Sequence, residues 1–286
     1  MKQDVAAYYN QTQNHYQRWW HLSKGMALHY GLWYNNTGNF LEALTNTNKH
    51  LAELANINKG NKVLDAGCGV GGAAIFLANK FNADVLGITL SDLQIKTAQG
   101  NARKHKVAAL TKFKKLDYCN TGLNNGSFDV IWACESSSSA ADKQQMVDEW
   151  FRLLKPGGKL VLSDFFRANE KQSEKDQLLD KWVESWAMSP LITTNNLTGL
   201  LTSAGFTIHQ TTDLTGNIYK TARRMYLSYW LGLVPSVLYN SIFGARAYAR
   251  NHYKSGLYQY KALQQGLWKY HSLLAVKPAE HGTIID

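Results

Sequence analysis

The residues best placed to do chemistry are acids and hydroxyls that end apolar segments. Asp65 closes the apolar stretch 62–65 and is followed by glycines at 67, 69 and 71, then by Gly72, Ala73 and Ala74. Glycine lets main chain approach a ligand closely, and a helix starting at such a turn offers unpaired N–H groups. An acid ahead of the glycines repels a pyrophosphate and attracts a cation. The turn therefore suits a nucleotide-like ligand that carries positive charge. Thr89, Asp117, Glu135 and Asp164 end further apolar segments downstream.

Those groups meet only if the segments line up in one sheet. The chain alternates as that requires. Strands are predicted at 62–65, 84–88, 113–116, 128–132 and 159–163. Ser91 is placed to cap a helix over 92–105, its hydroxyl accepting an orphan N–H. A second helix, 142–154, stops at Lys155-Pro156-Gly157-Gly158. Alternation of this kind implies a parallel sheet covered by helices, with ligands at the carboxyl ends of the strands. Asp65, Thr89, Asp117, Glu135 and Asp164 are then expected in one crevice.

The flanks read differently. Residues 1–58 carry no strand signal, and 40–54 has apolar residues at helical spacing. Beyond 173 the pattern is helical to 188 and again over 195–204, with strands at 206–212 and 270–276. About 55 residues rich in Tyr, Trp, Leu and Arg separate these last two strands, too many for a hairpin connection. The expected fold is α/β: a Rossmann-like, seven-stranded, mostly parallel sheet with helices on both faces. The expected organisation is an N-terminal helical cover (1–58), a cofactor domain (59–213 and 269–286) and a helical insertion over the crevice (214–268).

With the crevice located, the ligand narrows to S-adenosyl-L-methionine, a sulfonium amino acid joined to adenosine. A nicotinamide enzyme carries an acid about 20 residues beyond the glycines for the ribose; this chain has Gly87-Ile88-Thr89-Leu90 there.

Composition sets broader limits. The 286 residues carry a net charge of +10, with basic residues spread out rather than gathered in an arm or RNA-binding motif. No nucleic-acid partner is expected. Cys68, Cys119 and Cys134 lie far apart, which argues against a disulfide framework or a metal site. The polar N-terminus and the short, Gly- and Pro-broken apolar stretch 229–239 lead to an expected cytoplasmic location, with peripheral membrane contact allowed by the basic surface.

Taken together, these motifs resemble the class I S-adenosylmethionine-dependent methyltransferases that act on small molecules. Within that group the chain is similar to tocopherol and sterol methyltransferases, and more distantly to cyclopropane-fatty-acid synthases. The resemblance runs through Tyr8-Tyr9, Leu28-His29-Tyr30-Gly31, the glycine turn, Gly87-Ile88-Thr89-Leu90-Ser91 with Gln94, Phe128-Asp129-Val130-Ile131-Trp132 leading to Glu135-Ser136, Leu154-Lys155-Pro156-Gly157-Gly158 and the stretch 260–278. It implies that Asp65, Gly67 and Gly69 hold the methionine part of the cofactor, backbone N–H groups taking its carboxylate. Thr89, Leu90 and Gln94 would lie on the ribose side. Asp117 would accept from the adenine amino group with Tyr118 beside the ring, and Cys134, Tyr9 and His29 would complete the cofactor site. Glu135 would sit near the methyl group, with Glu135 and His29 as the candidate catalytic bases. Many relatives have a histidine four residues after that acid; this chain has Ser139. The serine run 136–139 itself reads as a plain small-residue loop. A hydrophobic acceptor is expected: a prenylated phenol or quinol, a sterol or another isoprenoid. An amine, sugar or phosphobase acceptor and lipid cyclopropanation are the alternatives.

Overall fold

Period-two alternation builds the centre of the molecule, in a computed structural model that describes residues 22–170, 176–243 and 253–279. Strand β1 (Lys62–Ala66) buries Val63 on one face and Leu64 and Ala66 on the other. It pairs in parallel with β2 (Asp84–Thr89) on one side and β4 (Phe128–Cys134) on the other. Strand β3 (Thr111–Lys115) extends the sheet beyond β2, and β5 (Leu154–Arg167) extends it beyond β4. The last two strands, β6 (Thr207–Asp213) and β7 (Trp268–Val276), close the order 3-2-1-4-5-7-6, with β7 antiparallel to both neighbours. The expected seven-stranded, mostly parallel sheet is borne out.

Both faces are covered because both are apolar. On the Val63 face pack α2 (Phe40–Ala55), α3 (Gly72–Phe81) and α4 (Asp92–Lys104), through Leu51, Ile75, Leu77 and Ala98. On the Leu64 face pack α5 (Lys143–Leu153) and α7 (Thr194–Ser203), through Met146, Trp150, Leu197 and Leu201. The helix starts follow the cap residues. Ser91 Oγ accepts from Gln94 N at 3.2 Å, and Asp142 Oδ1 accepts from Gln145 N at 2.9 Å.

A third core forms beside β7. There α1 (Leu22–Gly25) leads into the extended segment 26–34, which packs with α6 (Gln177–Ser185), α8 (Thr215–Phe243) and α9 (Ser255–Gln264). Phe165, Trp182, Trp268, Tyr30 and Tyr270 meet edge-to-face or stacked, for example Tyr30 and Phe165 at 5.1 Å and 75°.

Two boundaries differ from expectation. Helix α5 ends at Leu153, and Leu154 already pairs with Phe128. Pairing then skips to Lys159 opposite Val130, so Lys155-Pro156-Gly157-Gly158 is a bulge inside β5 rather than a gap before it. Gly157, at φ +75°, donates to Lys277 O at 2.9 Å and so ties the bulge to the end of β7. Strand β5 also runs on to Arg167 because β7 pairs with it along its length.

The most crowded glycine among the described residues is Gly72, the first residue of α3. A β-carbon there would lie 2.0 Å from the carbonyl oxygen of Met26. This close approach lets the segment 26–29 lie against the start of α3. Gly72→Ala is expected to destabilise the fold by about 2–3 kcal/mol. Gly100→Ala, on α4 with nothing within 4 Å, is expected to stabilise it by about 0.5–1 kcal/mol. Urea unfolding of the two variants checks the pair.

Candidate active site

The sheet order reverses at β1, whose neighbours β2 and β4 connect away in opposite directions, leaving a crevice at the carboxyl ends. A cavity of about 690 Å³ opens there. It is lined by His29, Asp65, Gly67, Gly69, Thr89, Leu90, Gln94, Asp117, Tyr118, Cys134 and Glu135. Tyr9 lies outside the described residues.

Asp65, the residue before the last of β1, lines this space. It is 3% exposed, and its Oδ2 has no hydrogen-bond partner. Burial lifts its carboxyl to about 7, against a smaller pull from the Ala74 N–H. Gly67 allows the main chain to turn under Ser136: it sits at φ +99°, and a β-carbon on it would lie 2.5 Å from Ser136 Cβ. The N–H groups of Gly67 and Cys68 are directed elsewhere than expected. Both donate to Ile88 O, at 3.0 and 2.9 Å, and lock the turn to β2. They are therefore engaged within the protein; Gly69 and the first residues of α3, Gly72 and Ala73, also line the cavity.

Thr89 and Gln94 form a buried pair, with Thr89 Oγ1 donating to Gln94 Oε1 at 2.6 Å. Leu90 and Asp117 stand at the exposed rim. Asp117 Oδ1 accepts from Cys119 N at 2.8 Å, and the Tyr118 hydroxyl donates to Ser136 O at 2.6 Å.

Glu135 is held tightly. It leaves β4 at φ +50°, a left-handed conformation that costs a side-chain-bearing residue about 1 kcal/mol. Its Oε1 accepts from Tyr30 N at 2.6 Å and from the Tyr270 hydroxyl at 2.8 Å. The Tyr270 oxygen also lies 3.1 Å from Ser163 Oγ. Burial pushes the Glu135 carboxyl well up, while the Tyr30 N–H and the Tyr270 hydroxyl pull it back. His29 is buried, which lowers its pKa to about 4. Its Nδ1 lies 3.0 Å from Tyr30 O, so the neutral ring carries its proton there and keeps Nε2 as an acceptor.

The serine run is more than a loop. Ser137–Ser139 form a 3₁₀ turn, and Ser136, Ser138 and Ser139 line the cavity. Asp164 lies beneath this turn rather than in the crevice. Its Oδ2 accepts from Ser137 Oγ at 2.6 Å and Ser138 N at 3.0 Å. Lys143 Nζ donates to the carbonyls of Ser137, Ser138 and Ala140. The segment 186–190 closes the far wall with Phe165, and Ser189 N donates to Ser138 O at 3.1 Å. Nothing local in the sequence marked that segment; the helical pattern ending near 188 was the only signal. No described residue of α8 or α9 lines the cavity. The insertion instead grips the segment that does: Thr221 Oγ1 donates to Gly31 O at 2.9 Å, and Tyr30 donates to Gln259 Oε1 at 3.0 Å.

Residues 57–205, which carry β1 to β5 and all of the cavity lining except the segment 26–29, match the family model described as a methyltransferase domain. The chain belongs to that family. It is 27% identical over 255 residues to the chloroplastic tocopherol O-methyltransferase of Arabidopsis thaliana, covering 82% of this chain and 72% of that one. Its fold also matches the cyclase SpnF (TM-score 0.82, 21% identity, 98% and 97% covered). The cyclopropane synthase MmaA2 of Mycobacterium tuberculosis matches similarly (TM-score 0.81, 16% identity, 96% and 97% covered). The methyltransferase uses S-adenosyl-L-methionine and releases S-adenosyl-L-homocysteine. The unpartnered Asp65 oxygen and the side-chain-free turn at Gly67 fit a ligand with an ammonium group.

Two outcomes follow from this geometry. Below pH 7 Asp65 holds a proton that an ammonium ligand must displace. Affinity for S-adenosylhomocysteine is therefore expected to be flat above pH 7 and to fall up to tenfold per unit below it, with proton release. Calorimetry in two buffers reads both, and Asp65→Asn should abolish the pH dependence and weaken binding about 100-fold. Tyr270→Phe removes a donor from Glu135, so its carboxyl gains a proton at higher pH. The acid limb of the pH–rate profile is expected to move up by about one unit; an unmoved limb in a folded variant would reduce Tyr270 to packing.

Proposed function

We propose that this methyltransferase methylates a carbon or oxygen atom of an uncharged, hydrophobic small molecule: a prenylated phenol or quinol, a sterol or another isoprenoid. The lining of the cavity carries this reading. Among the described residues no Lys or Arg lines it, and its charged side chains are the carboxyls Asp65, Asp117, Glu135 and Asp142. A phosphate or carboxylate on the acceptor would meet no cation there. Phe165, Trp186, Ala187, Met188 and Pro190 offer it an apolar wall. The likeness to the tocopherol enzyme supports the prenylated-phenol end of the range.

When bound, the cofactor supplies a methyl group already activated by the positive sulfur. The chain then has to align, exclude water and accept a proton. Asp65 anchors the ammonium end, and the wall at 186–190 shuts out solvent. Glu135, fixed by Tyr30 and Tyr270, takes the proton lost by a phenol oxygen or by a carbon that has gained the methyl group. His29, neutral and with Nε2 as an acceptor, is the other base. Acceptors of this class dissolve in bilayers, so contact with a lipid surface belongs to the same reading.

An amine acceptor is the second reading, favoured by the same carboxyls, which would attract a cation. Mass spectrometry after incubation with prenylated hydroquinones, a prenyl diphosphate, phosphoethanolamine and simple amines separates the classes. A gain of one methyl group on the hydroquinone is expected; turnover of the phosphorylated compounds alone would overturn the proposal. Glu135→Gln is expected to lower kcat by about 10²–10⁴ with S-adenosylhomocysteine affinity nearly unchanged.

A further inference from the structure

Helix α8 turns one narrow face to solvent. Positions 220, 223, 227, 230, 231 and 234 fall within about 100° of arc on a helix of 3.6 residues per turn. All six are exposed: Lys220, Arg223, Leu227, Trp230, Leu231 and Val234. The apolar four are 49%, 53%, 66% and 64% accessible. The opposite face is buried through Ile218, Ala222 and Met225. Four large apolar side chains gathered on one turn-to-turn stripe differ from the scattered exposure of an ordinary surface.

Charge identifies the occupant. Thr215–Phe243 contains Lys220, Arg223 and Arg224 and no acid. Two copies meeting α8 to α8 through this face would bring no carboxylate of either helix against Lys220 or Arg223. An anionic bilayer supplies both requirements, phosphates for the cations and acyl chains for the apolar stripe. Trp230 adds a ring suited to the headgroup level. No described helix is long and apolar enough to cross a membrane, so the contact is with one leaflet.

We propose that this face of α8 docks on an anionic lipid bilayer, with Leu227, Trp230, Leu231 and Val234 in the headgroup–acyl boundary and Lys220 and Arg223 on lipid phosphates. The inner side of the same helix bonds Gly31, two residues from His29 on the cavity wall, so the docked surface lies one layer from the site. The proposal leans on the proposed function only for the reason a bilayer is visited.

Flotation of the intact protein tests it, with vesicles of phosphatidylcholine alone and with about 30 mol% phosphatidylserine added. Strong, salt-sensitive binding to the anionic vesicles is expected, with little binding to the neutral ones. The double variant Leu227→Glu and Leu231→Glu should lose about tenfold or more, and Arg223→Gln about fivefold. Lys112→Gln with Lys114→Gln, an exposed basic pair on β3, should retain binding. Unimpaired S-adenosylhomocysteine affinity certifies that each variant is folded. No flotation of the natural protein, equal flotation of the double Glu variant, equal loss in the β3 variant, or a dimer dissolved by the Glu changes would each overturn the proposal. Vesicle binding that persists while no acceptor is methylated supports the docking face and counts against the proposed acceptor.

Discussion

Burial of carboxyl groups without cations is the constraint around which this methyltransferase is arranged. Asp65 and Glu135 stand at the ends of adjacent strands in the same cavity, and no Lys or Arg lines that cavity among the described residues. Removing a carboxylate from water is costly unless hydrogen bonds or a counter-charge replace the lost hydration. The two acids meet that cost differently. Glu135 draws on donors within the fold, Tyr30 N–H and the Tyr270 hydroxyl. Asp65 keeps one oxygen without a partner, and burial raises its carboxyl to about 7. One acid is fixed by donors of the fold and the other is only partly satisfied by it.

The need to support Glu135 explains much of the remaining architecture. Its two donors come from opposite ends of the chain, the segment before α2 and the last strand. Tyr30 is in turn held by Gln259 of α9 and packed against Phe165 and Tyr270. The described residues of the helices between β6 and β7 thus reach the cavity through the segment they clamp, and none of them lines it. Aromatic packing of this kind is stiff, because flat rings in edge-to-face contact have few alternative arrangements.

Local signals made the central fold readable. The apolar stretch before Asp65, the glycine turn and the Ser91 cap are each decided within a few residues, and they recur in the structure with small shifts of boundary. Features that depend on distant partners were not readable. The Gly67 N–H turns to Ile88 because β2 lies beside it. The bulge at Lys155–Gly158 exists because β7 pairs with β5 beyond it. The serine run became a fixed wall through Asp164 and Lys143, neither of which its own composition announces. Segment 186–190 carried no motif, since its contribution is shape and main-chain hydrogen bonding to Ser138.

The backbone at Glu135 sets two kinds of selection against each other. Glycine would relax the left-handed conformation and remove a buried charge, so a search for greater thermal resistance would favour that exchange. The same exchange deletes the acid held between Tyr30 and Tyr270. Engineering toward robustness by scoring folded-state energy alone would therefore be drawn to a residue of the cavity wall, and hardening of the scaffold is better sought elsewhere, on the outer helices.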